Sequence, residues 1–93
     1  MNTANLQLEG LIMAMASISQ AIVEKGLLTH EEMGVALSKA KKTVEDDNGP
    51  ELSDANRAAT LFPLRVLLLA NQASQKGERF TFSDYAKLVA KLT

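Results

Sequence analysis

The 93-residue sequence contains no cysteine and no tryptophan, and it has one histidine, one tyrosine and three phenylalanines. Without cysteine there are no disulfides, zinc-thiolate sites or cysteine nucleophiles. A metal site at the lone histidine, His30, would depend on carboxylates, yet its neighbours Glu31 and Glu32 point in different directions around a helix. So few aromatic residues provide no stacking platform for single-stranded nucleic acid. The sequence therefore predicts neither a metal site nor a bound cofactor.

The sequence also has no large excess of positive or negative residues. The sequence has ten Lys and Arg residues and eleven Asp and Glu residues, which gives a formal net charge of -1. Such a balance offers no long-range attraction to phosphates or anionic lipid, so nucleic acid is an unexpected partner. No basic segment precedes an apolar one near Met1, and the apolar run from Leu61 to Ala70 is interrupted by Arg65 and too short to span a membrane. We therefore expect a cytoplasmic protein without a membrane segment.

Patterns that carry catalysis are not found either. The acidic cluster of Glu45, Asp46 and Asp47 precedes Gly49 and Pro50. This composition predicts a solvated loop, whereas acid–base catalysis needs carboxylates held in a cleft. The sequence has neither a phosphate-binding glycine loop nor a G-x-S-x-G motif. An enzyme is therefore not the expected interpretation.

Helical periodicity extends along nearly the whole chain, and no segment shows the period-two alternation of a strand. This pattern predicts an all-α fold, namely a four-helix, bundle-like single domain over residues 1–93 with antiparallel helical hairpins. The first helix is expected over residues 5–25, before Gly26. The second begins at a capping box from Thr29 to Glu32, and a loop is expected over residues 45–52. The third follows the cap Ser53 and stops at Gly77, and the fourth begins near Thr81 or Ser83.

Pro63 lies inside the third predicted helix, next to a leucine-rich stretch. A proline in a helix interior removes one backbone hydrogen bond and costs about 3 kcal/mol or more unless packing offsets the loss. The apolar positions keep the same helical phase before and after Pro63, which predicts one continuous helix kinked there. The alternative is a break at Leu61 to Phe62, with Pro63 as the first residue of a new helix.

Two helices carry more apolar surface than a four-helix monomer is expected to bury. In the third helix, four leucines project away from the main apolar face and would form a contiguous patch. In the first helix, a strip of small residues lies about 120° from a bulky apolar face. A helix that is apolar on most sides is usually central, and a chain of four helices has little room for a fully central helix unless another copy supplies the remaining wall. A homodimer is therefore expected to bury the first helix, the third helix or both. The candidate interface residues are Gly10, Ala14, Ser17, Ala21, Leu61, Leu64, Leu67 and Leu68.

These surfaces predict a small helical interaction module that binds its own copy, as a two-fold homodimer, or another protein. Gly34 inside the second helix is explained if another helix crosses there. An alternative is a dimeric DNA-binding regulator that uses the hairpin around "GLLT" as a helix-turn-helix, although His30, Glu31 and Glu32 begin the would-be recognition helix. A third possibility is an accessory domain or subunit of an enzyme. The hairpin pattern "KGLLTHEEM" is too generic to indicate a family.

Overall fold

The computed structural model describes residues 3–47 and 52–92. Over these ranges the chain forms four helices and no strand: α1 (Thr3–Glu24), α2 (His30–Asp47), α3 (Asp54–Gln75) and α4 (Phe82–Leu92). The all-α, bundle-like prediction is confirmed. Helices α2 and α3 run antiparallel, because His30 at the start of α2 bonds to Ser74 near the end of α3.

The end of α1 and the start of α2 follow from local chemistry, as predicted. At the start of α2, the Glu32 N–H donates to Thr29 Oγ1 at 3.0 Å. The Thr29 N–H donates to the Glu32 carboxylate at 2.9 Å, so both members of the capping box are satisfied. Gly26, with φ of 76°, adopts the left-handed conformation after α1 that a side chain would strain.

Thr81, rather than Ser83, caps α4. Thr81 Oγ1 accepts from the Asp84 N–H at 3.1 Å, and the Thr81 N–H donates to the Asp84 carboxylate at 3.2 Å. Phe80 packs edge-on against Tyr85 with ring centroids 5.7 Å apart, which is the hydrophobic staple expected for this start. The alternative start at Ser83 is therefore wrong.

Replacing the α4 cap is expected to destabilise the fold measurably. Thr81→Ala removes the acceptor for the Asp84 N–H, and we expect a loss of about 1 kcal/mol in the free energy of unfolding. Ser83→Ala is the matched control, because Ser83 is exposed and makes no capping bond, so a change within about 0.5 kcal/mol is expected. Urea unfolding followed by circular dichroism measures both, and equal losses in the two variants would contradict this assignment.

The end of α2 differs from the expectation. The helix continues through Asp47, so Glu45, Asp46 and Asp47 are helical and exposed rather than part of a loop. Lys42 pairs with Asp46 one turn later at 3.2 Å, which is an interaction that favours continued helix. The remainder of the predicted loop, residues 48–51, lies outside the described residues.

Pro63 lies within α3, which is continuous from Asp54 to Gln75. The continuous-helix interpretation is confirmed, and the alternative of a new helix beginning at Pro63 is wrong. Buried side chains precede and follow the proline at Leu61 and Val66. Their packing offsets the missing backbone hydrogen bond.

The hydrophobic core is centred on α3. This helix packs against each of the other three, and its contact with α2 is the most extensive. Within the described ranges, half of the buried apolar residues come from α3; the set is Ile12, Met33, Leu61, Val66, Leu67, Ala73, Tyr85 and Val89. Helix α1 contributes only Ile12 to this set, so it lies at the surface of the single chain.

Gly34 lies where α3 passes close to α2. A Cβ added at Gly34 would lie 3.4 Å from Asn71 Nδ2, and the Asn71 side chain donates to the His30 carbonyl at 2.9 Å. Another helix therefore does cross at this glycine, as the sequence predicts. The crossing helix belongs to the same chain.

Candidate interaction surface

The four leucines beside Pro63 do not form an exposed patch. Leu61 is 2% exposed and Leu67 is also buried, while Leu64 and Leu68 are half-buried. The two apolar sides of α3 are explained by neighbouring helices on both sides. This part of the predicted interface is corrected: Leu61 and Leu67 belong to the core of the single chain.

The exposed apolar surface lies on α1 instead. We define its outer face as a ridge of large side chains, Leu8, Leu11, Met15 and Ile18, together with the strip of small residues Gly10, Ala14, Ser17 and Ala21. Every residue of the outer face is exposed; in the ridge, Leu11 is 60% and Ile18 is 52% exposed. The small-residue strip that the sequence singled out is thus at the surface, next to a ridge that was not among the candidates.

The polarity of α1 is the reverse of that expected for a helix on the surface of a monomer. Such a helix turns its charged side toward water and its apolar side toward the core. In α1, only Glu9 is charged between Leu8 and Ile22, and it is half-buried on the side away from the outer face. Gln20 is also half-buried and accepts from Arg79 of the α3–α4 turn at 3.4 Å. The outer face therefore exposes apolar side chains without a charged residue among them.

The helix backbone is accessible from outside the chain at Gly10, on the outer face. A Cβ added there meets no heavy atom within 4 Å, apart from the atoms of its own helix turn. No contact among residues 3–47 and 52–92 therefore explains a glycine inside this helix, where it costs about 1 kcal/mol relative to alanine. A close approach by another chain would explain it, since small residues let helix backbones come together.

The exposed area of the whole chain is large for its mass. The chain exposes 6425 Å² at 10.0 kDa. A folded monomer of this mass is expected to expose about 5,200 Å². The chain thus exposes more area than is usual for a folded monomer of its mass.

Histidine and acidic residues do not assemble into a site. Within residues 3–47 and 52–92, no group of three or more His, Asp or Glu side chains is placed to hold a metal. His30 Nε2 instead lies 3.1 Å from Ser74 Oγ, and this contact ties the start of α2 to α3. His30 is thus a structural link between two helices.

The hairpin compared with a helix-turn-helix has little internal packing. Helices α1 and α2 touch lightly, and α2 packs mainly on α3. Glu31 and Glu32 are both exposed at the start of α2, where a recognition helix would meet phosphates and base edges. The geometry and charge of this hairpin do not favour DNA.

The ridge is the part of the surface that sequence reasoning missed as an interface. Its residues were assigned to a central helix because α1 is apolar on most sides. The sequence feature that indicates the central helix is found in α3, where apolar residues occupy even more sides of the helix near Pro63. Only one helix of a small bundle is surrounded by the others, and that position belongs to α3.

Comparisons with known proteins add no family to this description. No protein-family model matches the chain, and neither curated proteins nor solved structures include a significant match. Among the described helices, α1 is long and apolar enough to cross a bilayer, by length and composition alone. The cytoplasmic location stays a prediction, because membrane spans and signal sequences share these two properties with helices of soluble proteins.

Proposed function

We propose that this protein is a self-associating helical module, and that the outer face of α1 binds the outer face of a second copy. The observation that carries the proposal is the reversed polarity of α1, whose exposed side between Leu8 and Ala21 holds large apolar side chains and no charged residue. Contiguous apolar patches on soluble proteins usually mark an interaction site. Covering this patch removes the apolar ridge from water.

A second copy fits the shape of the outer face. The ridge of large residues lies next to the strip of small ones, so the surface has a raised side and a low side. When a two-fold axis runs parallel to α1 between two copies, the ridge of each copy packs against the strip of the other. Ridges that pack into grooves are the usual geometry of helix pairs. An interface built in this way is self-complementary, as two-fold homodimers require.

A lipid surface fits the outer face less well. Helices that lie in the membrane interface are rich in Lys and Arg on their polar side and carry Trp or Phe on the other. Helix α1 contains no aromatic residue and no Lys or Arg, and its charged residues are Glu9 and Glu24. With a net charge of -1, the chain also lacks attraction to anionic lipid.

Sedimentation of the full chain tests the proposal. We expect a concentration-dependent equilibrium between one and two copies over the micromolar range. The same protein is expected to remain in the supernatant when neutral or anionic phospholipid vesicles are pelleted. A monomer at every concentration would overturn the proposal, and so would recovery of the protein with the vesicles.

The variant Gly10→Ala distinguishes the contribution of the outer face to dimerisation from its contribution to the stability of the single chain. In the single chain the added methyl group has open space and favours the helix by about 1 kcal/mol, so the monomer is expected to become more stable. In a dimer with closely packed α1 helices, the same methyl group overpacks the contact. We expect the dissociation constant to rise about tenfold or more by sedimentation equilibrium. An unchanged or lower dissociation constant would mean that the two helices do not meet at Gly10.

A further inference from the structure

A small cavity lies between α1, α3 and the turn that leads into α4. Its volume is about 250 Å³. Met13, Leu67 and Phe80 contribute apolar walls, while Tyr85 and Arg79 are among its polar lining residues. A concave site that combines apolar walls with a few polar groups is the usual form of a small-molecule site.

The Tyr85 hydroxyl is the first feature that points to a ligand. Tyr85 is 4% exposed, and its hydroxyl oxygen accepts a long hydrogen bond of 3.4 Å from the Phe80 N–H. Within the described ranges, the hydroxyl group itself donates to no acceptor. Buried hydroxyl groups nearly always have a partner for their proton. An acceptor supplied from outside the chain would satisfy this one.

Arg79 supplies the second feature. One of its guanidinium nitrogens donates to Gln20 Oε1 at 3.4 Å, and among the described residues no carboxylate lies within ion-pair distance of it. A guanidinium group has five N–H donors and favours planar oxyanions. Glu78 also lines the cavity, and because Glu78 and Arg79 are both exposed, water screens the negative charge of the first as well as the positive charge of the second.

We propose that this cavity binds a small carboxylate with a compact apolar body. The carboxylate accepts from the Tyr85 hydroxyl and the Arg79 guanidinium, and the body packs between Met13, Leu67 and Phe80. The volume sets the size: a cavity of about 150 Å³ holds benzene, and drug-sized molecules need about 300 Å³ or more. A ligand the size of benzoate or a short-chain fatty acid fits this range.

Titration of the full chain with benzoate, monitored by amide chemical shifts, tests the proposal. Saturable shifts are expected around the cavity with a dissociation constant of about 1 mM or lower, as a molecule this small allows. Benzyl alcohol is expected to bind more weakly, and benzylamine to leave these shifts unchanged. If benzoate causes no shift up to about 20 mM, or if benzylamine binds equally well, the assignment is overturned.

Tyr85→Phe keeps the ring that packs against Phe80 and removes only the hydroxyl. We expect benzoate to bind this variant about tenfold more weakly, as the loss of a charge-assisted hydrogen bond implies. Arg79→Gln should weaken binding by a similar factor, and Glu78→Gln should strengthen it. Tyr85→Phe also removes the acceptor of the Phe80 N–H, so its melting temperature is expected to fall slightly, and circular dichroism checks that the variant is folded before affinities are compared. Unchanged benzoate affinity in Tyr85→Phe would sink the proposal.

Discussion

The double variant Leu11→Lys/Ile18→Lys is expected to be a folded monomer at concentrations where the unmodified chain is a dimer. Both side chains belong to the ridge and are exposed, so the lysines leave the packing of the single chain intact. In the proposed dimer, four ammonium groups would be brought to the interface and lose their hydration. At about 1 kcal/mol or more for each of the four substituted sites, the dissociation constant is expected to rise about a thousandfold or more.

Val35→Lys is the control for this variant. Val35 is 68% exposed on α2, outside the outer face of α1, so the change in hydrophobicity is comparable and the location differs. We expect Val35→Lys to dimerise as the unmodified chain does. Sedimentation equilibrium and helical circular dichroism are measured on all three proteins. Dimers that survive in the double variant would show that α1 is not the interface, and loss of dimers in Val35→Lys would move the interface toward α2.

Leu61→Ala is expected to be among the most destabilising single substitutions in the chain. Leu61 is buried against the core, and truncation leaves a cavity that the surrounding helices fill only in part. Such substitutions cost about 2 to 5 kcal/mol, and we expect about 3 kcal/mol here. A domain of this size has a total stability of only about 5 to 10 kcal/mol, so the variant should unfold at much lower urea concentration.

Leu64→Ala is the comparison that makes this result informative. Leu64 is half-buried and lies three positions further along α3, so its truncation removes less buried area. We expect a loss of about 1 kcal/mol. If both leucines lay on an exposed patch, the two substitutions would have similar and small effects on the isolated monomer. Equal losses would therefore contradict the central position of α3.

The helix boundaries follow closely from the sequence because they depend on neighbours within a few positions. Thr29 and Glu32 cap α2 through bonds between residues three apart, and Thr81 and Asp84 do the same for α4. Gly26 ends α1 by a property of its own backbone. The end of α2 was misjudged because an acidic run near Gly49 and Pro50 resembles a loop, whereas Lys42 and Asp46 prolong the helix.

The candidate interface was only half predictable from the sequence. The strip from Gly10 to Ala21 is exposed, as an interface requires. Leu61 and Leu67 were wrong as candidates because periodicity indicates which residues share a face and not what packs against that face. Two apolar faces are equally consistent with a central helix and with a helix at an oligomer interface. Leu61 and Leu67 lie in the core because α3 has helices on both sides.

By itself, the amino-acid order determined the helical class of the protein, the capped starts of α2, α3 and α4, and the uninterrupted passage of α3 through Pro63. These features arise from hydrogen bonds and side-chain spacing within one or two helical turns. Only the tertiary structure decided which apolar helix lies at the centre and which one faces water. That choice depends on how four helices divide a limited number of buried positions, and α3 occupies the centre while the outer face of α1 remains uncovered.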